Sequence, residues 1–248
     1  VQVEPSRFVR QTRTAKKVLV FVHGVMGTAD ETWAGANHGA RTYWPELVKD
    51  DERFSDYDIF VVSYYSPQAG KAPNIFGLSS ALIRDLEDYK IYPTGTLQSQ
   101  YEEVVFICHS MGNLVVRTSL ITRSLPENSS TQIPLILSIA SPSEGSALAN
   151  LAKDVLSENP QFVDMVGIEA NSFLQLLNAV WERRAFDTEI ACAYELRNYP
   201  GIGGKVVEQK SATAICTRTG PRPIEEDHIT IVKPGDRQHP IHAWLAEE

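Results

Sequence analysis

A serine between a predicted strand and a predicted helix is the strongest chemical signal in this chain. The apolar, β-branched run 104–107 leads into Cys108-His109-Ser110-Met111-Gly112, and the helix-compatible stretch 113–124 follows. A sharp turn of this kind holds a serine as a nucleophile at the top of an α/β sheet. Gly112 supplies the small residue wanted two places after the serine, whereas Cys108 stands where the pattern has glycine. The segment therefore predicts Ser110 as the nucleophile of an acyl-transfer reaction.

A glycine-containing loop upstream is the expected partner of Ser110. Residues 17–22 read as a buried strand, which runs into His23-Gly24-Val25-Met26-Gly27. Glycines let the backbone turn so that free N–H groups point at a developing negative charge. The backbone N–H groups of Val25 and of Met111, the residue after the nucleophile, are therefore the predicted oxyanion-hole donors.

A histidine and an acid in the C-terminal half complete a candidate triad. His228 lies in a loop after the last predicted strand, 205–215, and is the predicted general base. Glu195 ends the predicted strand 188–194 and falls between serine and histidine in chain order. We expect it to accept the other ring N–H of the histidine and so fix its tautomer. Glu144 is the alternative acid.

Composition limits the partners of the chain. It has 248 residues, of which 43% are hydrophobic and 22% charged, enough for one large core. We expect a single domain over residues 1–248. The net charge of −8 disfavours a nucleic-acid partner. The basic stretch within residues 1–15 is expected to be a solvated arm, with a contact to lipid headgroups as the alternative.

Cysteine usage and apolar runs bear on cofactors and location. Cys108 and Cys192 fall in predicted buried strands, where cysteine acts as a small apolar residue, and with Cys216 the three cannot all pair. No metal-ligand spacing is present, so we expect neither a metal site nor a cofactor.

The sequence shows no membrane-spanning run and no signal-peptide pattern. It favours a reducing, cytoplasmic location, with peripheral membrane contact left open. The first residue is Val1 rather than methionine, so we expect a piece of a longer protein.

Strand and helix patterns alternate along the chain. The predicted strands are 17–22, 57–64, 103–108, 133–140, 188–194 and 205–215. This alternation predicts an α/β fold with a mostly parallel central sheet and helices on both faces. Residues 147–187 exceed a plain crossover, and we expect them to form a small helical cap over the site. Packing against the core is the favoured role for most of the apolar side chains in that insertion.

The motifs together resemble the serine-active-site-containing lipase-like group of α/β hydrolases, relatives of the GPI inositol-deacylases. The matching segments are His23-Gly24-Val25-Met26-Gly27, Thr32-Trp33, Tyr64, 106–112, 141–146 and 227–234. The resemblance covers about residues 16–235. It implies the α/β-hydrolase fold and a triad of Ser110, His228 and an acid near Glu195. It also implies that His23, Gly24, Met26 and Tyr64 contact the substrate, and that the domain is fused to signalling or repeat modules.

The predicted activity is hydrolysis or transfer of an acyl ester through an acyl-enzyme. The apolar cap favours a lipid-like ester, and no partner other than a small-molecule or lipid ester is expected outside fused domains. An amidase or peptidase with the same triad is the first alternative. A non-catalytic effector module that keeps the fold for binding is the second, and the intact Ser110 and His228 argue against it.

Overall fold

A mostly parallel sheet positions the candidate site. The computed structural model describes residues 4–67, 70–94, 97–123, 131–152, 159–184 and 186–248. In chain order the strands of that part are β1 (Arg7–Arg10), β2 (Lys17–Val22), β3 (Ala34–Asn37), β4 (Ala40–Tyr43), β5 (Tyr57–Val61), β6 (Glu103–His109), β7 (Gln132–Ile139), β8 (Glu189–Glu195) and β9 (Arg222–Ile224). The main sheet has the order β1-β5-β2-β6-β7-β8-β9, while β3 and β4 form a separate hairpin. β1 pairs antiparallel with β5, and the other pairs of the main sheet are parallel.

Helices cover both faces of this sheet. They are α1 (Trp44–Lys49), α2 (Ile75–Asp88), α3 (Met111–Thr122), α4 (Ala147–Ala152), α5 (Pro160–Val163), α6 (Ser172–Arg184), α7 (Gln209–Thr213) and α8 (Pro240–Glu247). Side chains alternate along each strand, so Val18 and Val20 of β2 pack on the side of α2, α3 and α6. Leu19 and Phe21 pack on the side of α1 and α8. This arrangement confirms the predicted α/β fold.

Five of the six predicted strands are present with small shifts at their ends, but the strand predicted at 205–215 is wrong. That segment contains α7, and the N–H groups of Val206 and Val207 bond a carboxylate instead of a neighbouring strand. The last strand is the three-residue β9, which contains Pro223. Proline is tolerated there because β9 lies at the edge of the sheet, where one side needs no donor.

The N-terminal stretch is not a solvated arm over its whole length, because β1 extends the sheet edge. Phe8 packs its ring 4.9 Å from that of Phe60. Arg10 donates to the backbone oxygens of Tyr57, at 2.8 Å, and Lys49, at 2.7 Å. Arg7 bonds the carboxylate of Asp30. The basic residues of β1 therefore hold the edge strand against its neighbours.

The cysteine prediction is wrong for Cys192. Cys108 is free and buried, but Cys192 of β8 forms a disulfide with Cys216, with the two Cα atoms 5.9 Å apart. The sequence does not reveal this pair because 24 residues separate the two cysteines. Disulfides are typical of oxidising compartments, so this bond counts against the expected reducing location.

The insertion between β7 and β8 is helical where the structure describes it. It carries α4, α5 and α6, and residues 153–158 and 185 lie outside the described part. Leu174, Leu177 and Trp181 of α6 are buried in the core on the α3 side of the sheet. Within the described residues, none of the helices is long and apolar enough to span a membrane.

Candidate active site

Ser110 sits on a strained turn between β6 and α3. Its φ of 53° lies in the left-handed region that non-glycine residues rarely adopt. Three bonds hold the turn: the Ser110 N–H donates to Ile139 O at 2.9 Å, and Ser110 O accepts from Ser141 Oγ at 2.9 Å and from the Asn113 N–H at 3.3 Å. A Cβ on Gly112 would lie 2.4 Å from Val22 O. Only glycine therefore lets α3 start this close to β2, and the turn presents the serine side chain above the sheet.

Ser110, His228 and Glu195 form one hydrogen-bonded chain. His228 Nε2 lies 3.0 Å from Ser110 Oγ, and His228 Nδ1 lies 2.6 Å from Glu195 Oε2. All three residues are buried. Because a carboxylate only accepts, Nδ1 carries the proton and Nε2 is free to accept the serine proton. The structure thus brings together the three residues predicted as nucleophile, base and acid.

Backbone groups fix the acid in place. Glu195 ends β8, and its Oε1 accepts the N–H groups of Val206 at 2.7 Å and Val207 at 3.1 Å. These bonds leave Oε2 for His228. The rival acid, Glu144, forms an ion pair with Lys210 at 3.1 Å and has no contact with His228. Geometry therefore places Glu195, and not Glu144, beside the histidine.

The loop that carries His228 follows β9 and is tied by its own polar residues. Asp227 Oδ1 accepts the N–H groups of Ile229 at 2.8 Å and Thr230 at 2.9 Å. Thr230 Oγ1 donates to Glu226 Oε2 at 2.7 Å. The Asp227 carboxylate is therefore used to shape the loop rather than to orient the histidine ring.

The loop after β2 approaches the nucleophile closely. A Cβ on Gly24 would lie 2.8 Å from Ser110 Cβ, so a larger residue would displace the serine. Within the described part of the chain, the backbone N–H groups of Val25 and Met111 donate to no other group. Both are therefore free for a substrate oxygen, as a pair of oxyanion-hole donors must be.

His23 and Tyr64, which the family resemblance places at the substrate, lie behind this loop. His23 is fully buried; its Nδ1 donates to Gly24 O at 2.9 Å, and its Nε2 accepts the Tyr64 N–H at 3.4 Å. Tyr64 Oη donates to His23 O. Burial lowers the pKa of His23 to about 4, which keeps the ring neutral. Neither side chain reaches the pocket, so both shape the loop, whereas Met26 lines the pocket wall.

His109 is a site residue that the sequence patterns did not single out. Its Nε2 donates to the backbone oxygen of His228 at 2.8 Å, and the two rings lie 5.0 Å apart. Burial holds the pKa of His109 well below its ordinary value, and the neighbouring His228 lowers it further. A neutral His109 keeps one ring N–H for the His228 backbone. Its place directly before Ser110 is the one signal that could have found it.

A second unforeseen group links the loop after β2 to α5. The Met26 N–H donates to Ser66 Oγ at 2.9 Å, and Ser66 Oγ donates to Gln161 Oε1 at 2.6 Å. Met26 has a φ of 59°, so its left-handed backbone needs such support. Ser66 lies in a stretch rich in proline and glycine, and no motif distinguishes it.

A narrow pocket of about 120 Å³ opens beside Ser110 and His228. Most of its wall is apolar. The apolar side chains are those of Val25, Met26, Ala149, Phe162, Met165, Val206 and Ile229. Apolar side chains bind water weakly. A substrate carbonyl group held in this pocket would therefore lie beside Ser110 in a low-dielectric environment.

Comparisons with known proteins establish the fold. No family model matches the chain, and no curated protein matches its sequence. Among solved structures, the mature lipase BlEst2 of Bacillus licheniformis is similar, with a TM-score of 0.60, 16% identity and coverage of 98% of this chain and 99% of that one. Phospholipase PlaB of Legionella pneumophila gives a TM-score of 0.62 at 15% identity; the match covers 94% of this chain and 59% of that one. A putative thioesterase of Silicibacter gives 0.52 at 16% identity, over 93% and 76% of the two chains. The chain has the α/β-hydrolase fold, and identities this low establish the fold alone.

Proposed function

We propose that the protein is a serine hydrolase that cleaves or transfers acyl esters through an acyl-enzyme. The observation that carries the proposal is the continuous chain from Ser110 Oγ through the His228 ring to Glu195 Oε2, with separations of 3.0 and 2.6 Å. The serine at the end of this chain sits on a turn with a φ of 53°, and backbone strain of this kind clusters at active sites. The similar lipase, phospholipase and thioesterase structures agree with such chemistry at the level of fold.

In the proposed mechanism, Ser110 Oγ attacks the ester carbonyl while His228 Nε2 takes its proton. The negative charge that develops on the carbonyl oxygen is held by the Val25 and Met111 N–H groups. His228 then protonates the leaving alcohol, and the acyl group stays on Ser110. Water or a second alcohol, deprotonated by His228, releases the acyl group and restores the serine. Glu195 keeps the His228 ring oriented throughout and stabilises its charged form.

Ser110→Ala tests the proposal directly. We expect the variant to lose hydrolysis of short p-nitrophenyl esters by at least about a thousandfold, since the nucleophile is gone. Its melting temperature should stay close to wild type, because alanine keeps the same backbone conformation and, among the described residues, Ser110 Oγ bonds only the His228 ring. A fluorophosphonate probe should label the wild type and not the variant. Wild-type activity in Ser110→Ala would refute the assignment of the nucleophile.

The alternative amidase or peptidase activity is separated by matched substrates. An ester and an amide with the same acyl group differ in the leaving group, and the alkoxide needs less assistance to depart than the amine. We expect a higher kcat/KM for the ester. We also propose that the chain is related to the lipase-like relatives of the GPI inositol-deacylases, because the residue pattern around Ser110 and His228 resembles theirs.

A further inference from the structure

Within the residues that the structure describes, the pocket beside Ser110 is too small for a long acyl chain. Its volume is about 120 Å³, whereas an apolar protein cavity of about 150 Å³ holds one benzene molecule. The space therefore accommodates a group of about six carbon atoms or fewer. This limit conflicts with the lipid-like ester that the apolar insertion suggested from sequence.

One wall of the pocket is part of the packed core. Phe162 of α5, Met165 and Ala149 of α4 line it, and their exposed fractions are 1%, 2% and 1%. Hydrogen bonds hold α5 against the segment that follows β5. Gln161 Nε2 donates to Pro73 O at 3.0 Å, and Asn159 Nδ2 donates to Pro67 O at 3.0 Å. Because the wall is packed and tied on this side, its side chains set a fixed depth.

We propose that this pocket selects short acyl groups, of about four to six carbons, and that Phe162 and Met165 set the upper limit. The inference rests on the proposed function, because the acyl group of an acyl-enzyme remains bonded to Ser110 Oγ. The volume that adjoins this oxygen must hold the group until it is released. Phe162 and Met165 are thus specificity-determining residues, and the substrates are short-chain esters rather than long-chain lipids.

Chain-length dependence follows from burial. Each methylene that enters the pocket raises kcat/KM by about fourfold, as long as it leaves water. Once the pocket is full, further methylenes stay in water and add nothing, or must displace wall residues. We therefore expect kcat/KM to reach its maximum at four to six carbons and to be no higher at eight or twelve carbons.

The experiment measures kcat/KM for p-nitrophenyl esters of two, four, six, eight and twelve carbons, below their aggregation concentrations. Phe162→Ala and Met165→Ala deepen the pocket and should move the maximum to eight carbons or more. Ala149→Val narrows it and should move the maximum to two carbons. Leu176→Ala is the matched control, since Leu176 belongs to the same insertion but is 65% exposed; it should leave the maximum in place.

The outcomes distinguish this inference from the proposed function. Hydrolysis with the maximum at twelve carbons, or a maximum that none of the three pocket variants moves, overturns the short-acyl inference and leaves Ser110 as the nucleophile. Absence of both fluorophosphonate labelling and hydrolysis of any ester overturns the proposed function, and the inference with it. The inference is supported if the maximum of kcat/KM moves to longer esters in Phe162→Ala or Met165→Ala and to shorter esters in Ala149→Val. If one of these variants fails to fold, a shift in the expected direction in another is sufficient.

Discussion

At the scale of single residues, the orientation of the His228 ring decides whether the site can work. Glu195 accepts from one ring nitrogen at 2.6 Å, and His109 bonds the backbone of the same residue at 2.8 Å. The first bond fixes the tautomer, and the second fixes the position of the loop. Both partners are buried, so water does not compete for either bond and the ring is held ready to take the serine proton.

Glu195→Gln should reveal the role of the acid. The glutamine oxygen keeps the bonds from Val206 and Val207, but its NH₂ group then faces His228 Nδ1. Nδ1 becomes an acceptor, the proton moves to Nε2, and the ring can no longer accept the serine proton. We expect kcat on a short ester to fall by about a thousandfold or more, with little change in KM.

Glu144→Gln is the matched control. The partly buried Glu144 pairs with the exposed Lys210 of α7, and a pair that is open to water on one side contributes little to stability. Its kcat should stay within about twofold of wild type. Loss of activity in Glu144→Gln together with an active Glu195→Gln would reverse the assignment of the acid.

At the scale of elements, the loop after β2 depends on a neighbour that is forty residues away in the chain. Ser66 accepts from the Met26 N–H and donates to Gln161 at the start of α5. The bond stabilises the left-handed backbone of Met26, next to the Val25 N–H that we propose as an oxyanion donor. α5 and this loop therefore share a polar contact, and a change in one is transmitted to the other.

Ser66→Ala tests that contact. Removing an oxyanion donor outright costs about a hundredfold or more in kcat, and displacing one by relaxation of its loop should cost about tenfold. KM should change less than kcat, because Gln161 keeps its bonds to Tyr65 O and Pro73 O and these hold α5 in place. Ser66→Thr keeps the hydroxyl and should recover most of the activity. In the described part of the chain, the Ser80 hydroxyl bonds only its own helix, so Ser80→Ala should behave as wild type. Equal kcat values for Ser66→Ala and Ser80→Ala would contradict the positioning role.

The elements that the sequence predicted well are those with strong local signals. β2, β6, β7 and β8 are buried on both faces and read as continuous apolar runs. β9 was missed because it has three residues and contains proline. The arginines of β1 predict a solvated arm, because no local pattern shows the backbone oxygens that Arg10 bonds in the fold. The disulfide between Cys192 and Cys216 cannot be predicted from a local pattern either, because the fold brings together two cysteines that are 24 residues apart in the chain.

The site residues also differ in whether a local motif predicts them. Ser110 and the loop 23–27 carry local motifs, and the structure places them side by side. The choice between Glu195 and Glu144 was open in the sequence, because both carboxylates follow a strand and precede His228. His109 and Ser66 have roles that only their three-dimensional contacts define.

At the scale of the whole molecule, three buried histidines link stability to pH. His23, His109 and His242 are almost inaccessible to solvent. Burial is the largest cause of a lowered pKa in each, to about 4 for His23, to well below the ordinary value for His109, and to a lesser extent for His242. His242 accepts from Trp44 Nε1 at 3.2 Å and bonds Asp51 at 2.9 Å, which ties α8 to α1. The folded protein therefore holds all three rings neutral where the unfolded chain would protonate them.

Stability should consequently fall as the solution becomes mildly acidic. Each folded pKa is lower than the unfolded value of about 6.5, so below that pH the unfolded chain binds more protons and unfolding is favoured. We expect the free energy of unfolding, measured by urea denaturation, to be constant above pH 7 and to decrease below pH 6.5. The slope should reach up to about 1.4 kcal/mol per pH unit for each of the three histidines.

His23→Gln removes one of these histidines, so the slope of its free energy of unfolding against pH should be smaller by the contribution of one proton. His38→Asn is the control, because His38 lies at an exposed left-handed position that asparagine tolerates. This variant should keep the full slope. A wild-type stability that is flat between pH 7.5 and 5 would show that the rings take up protons without unfolding.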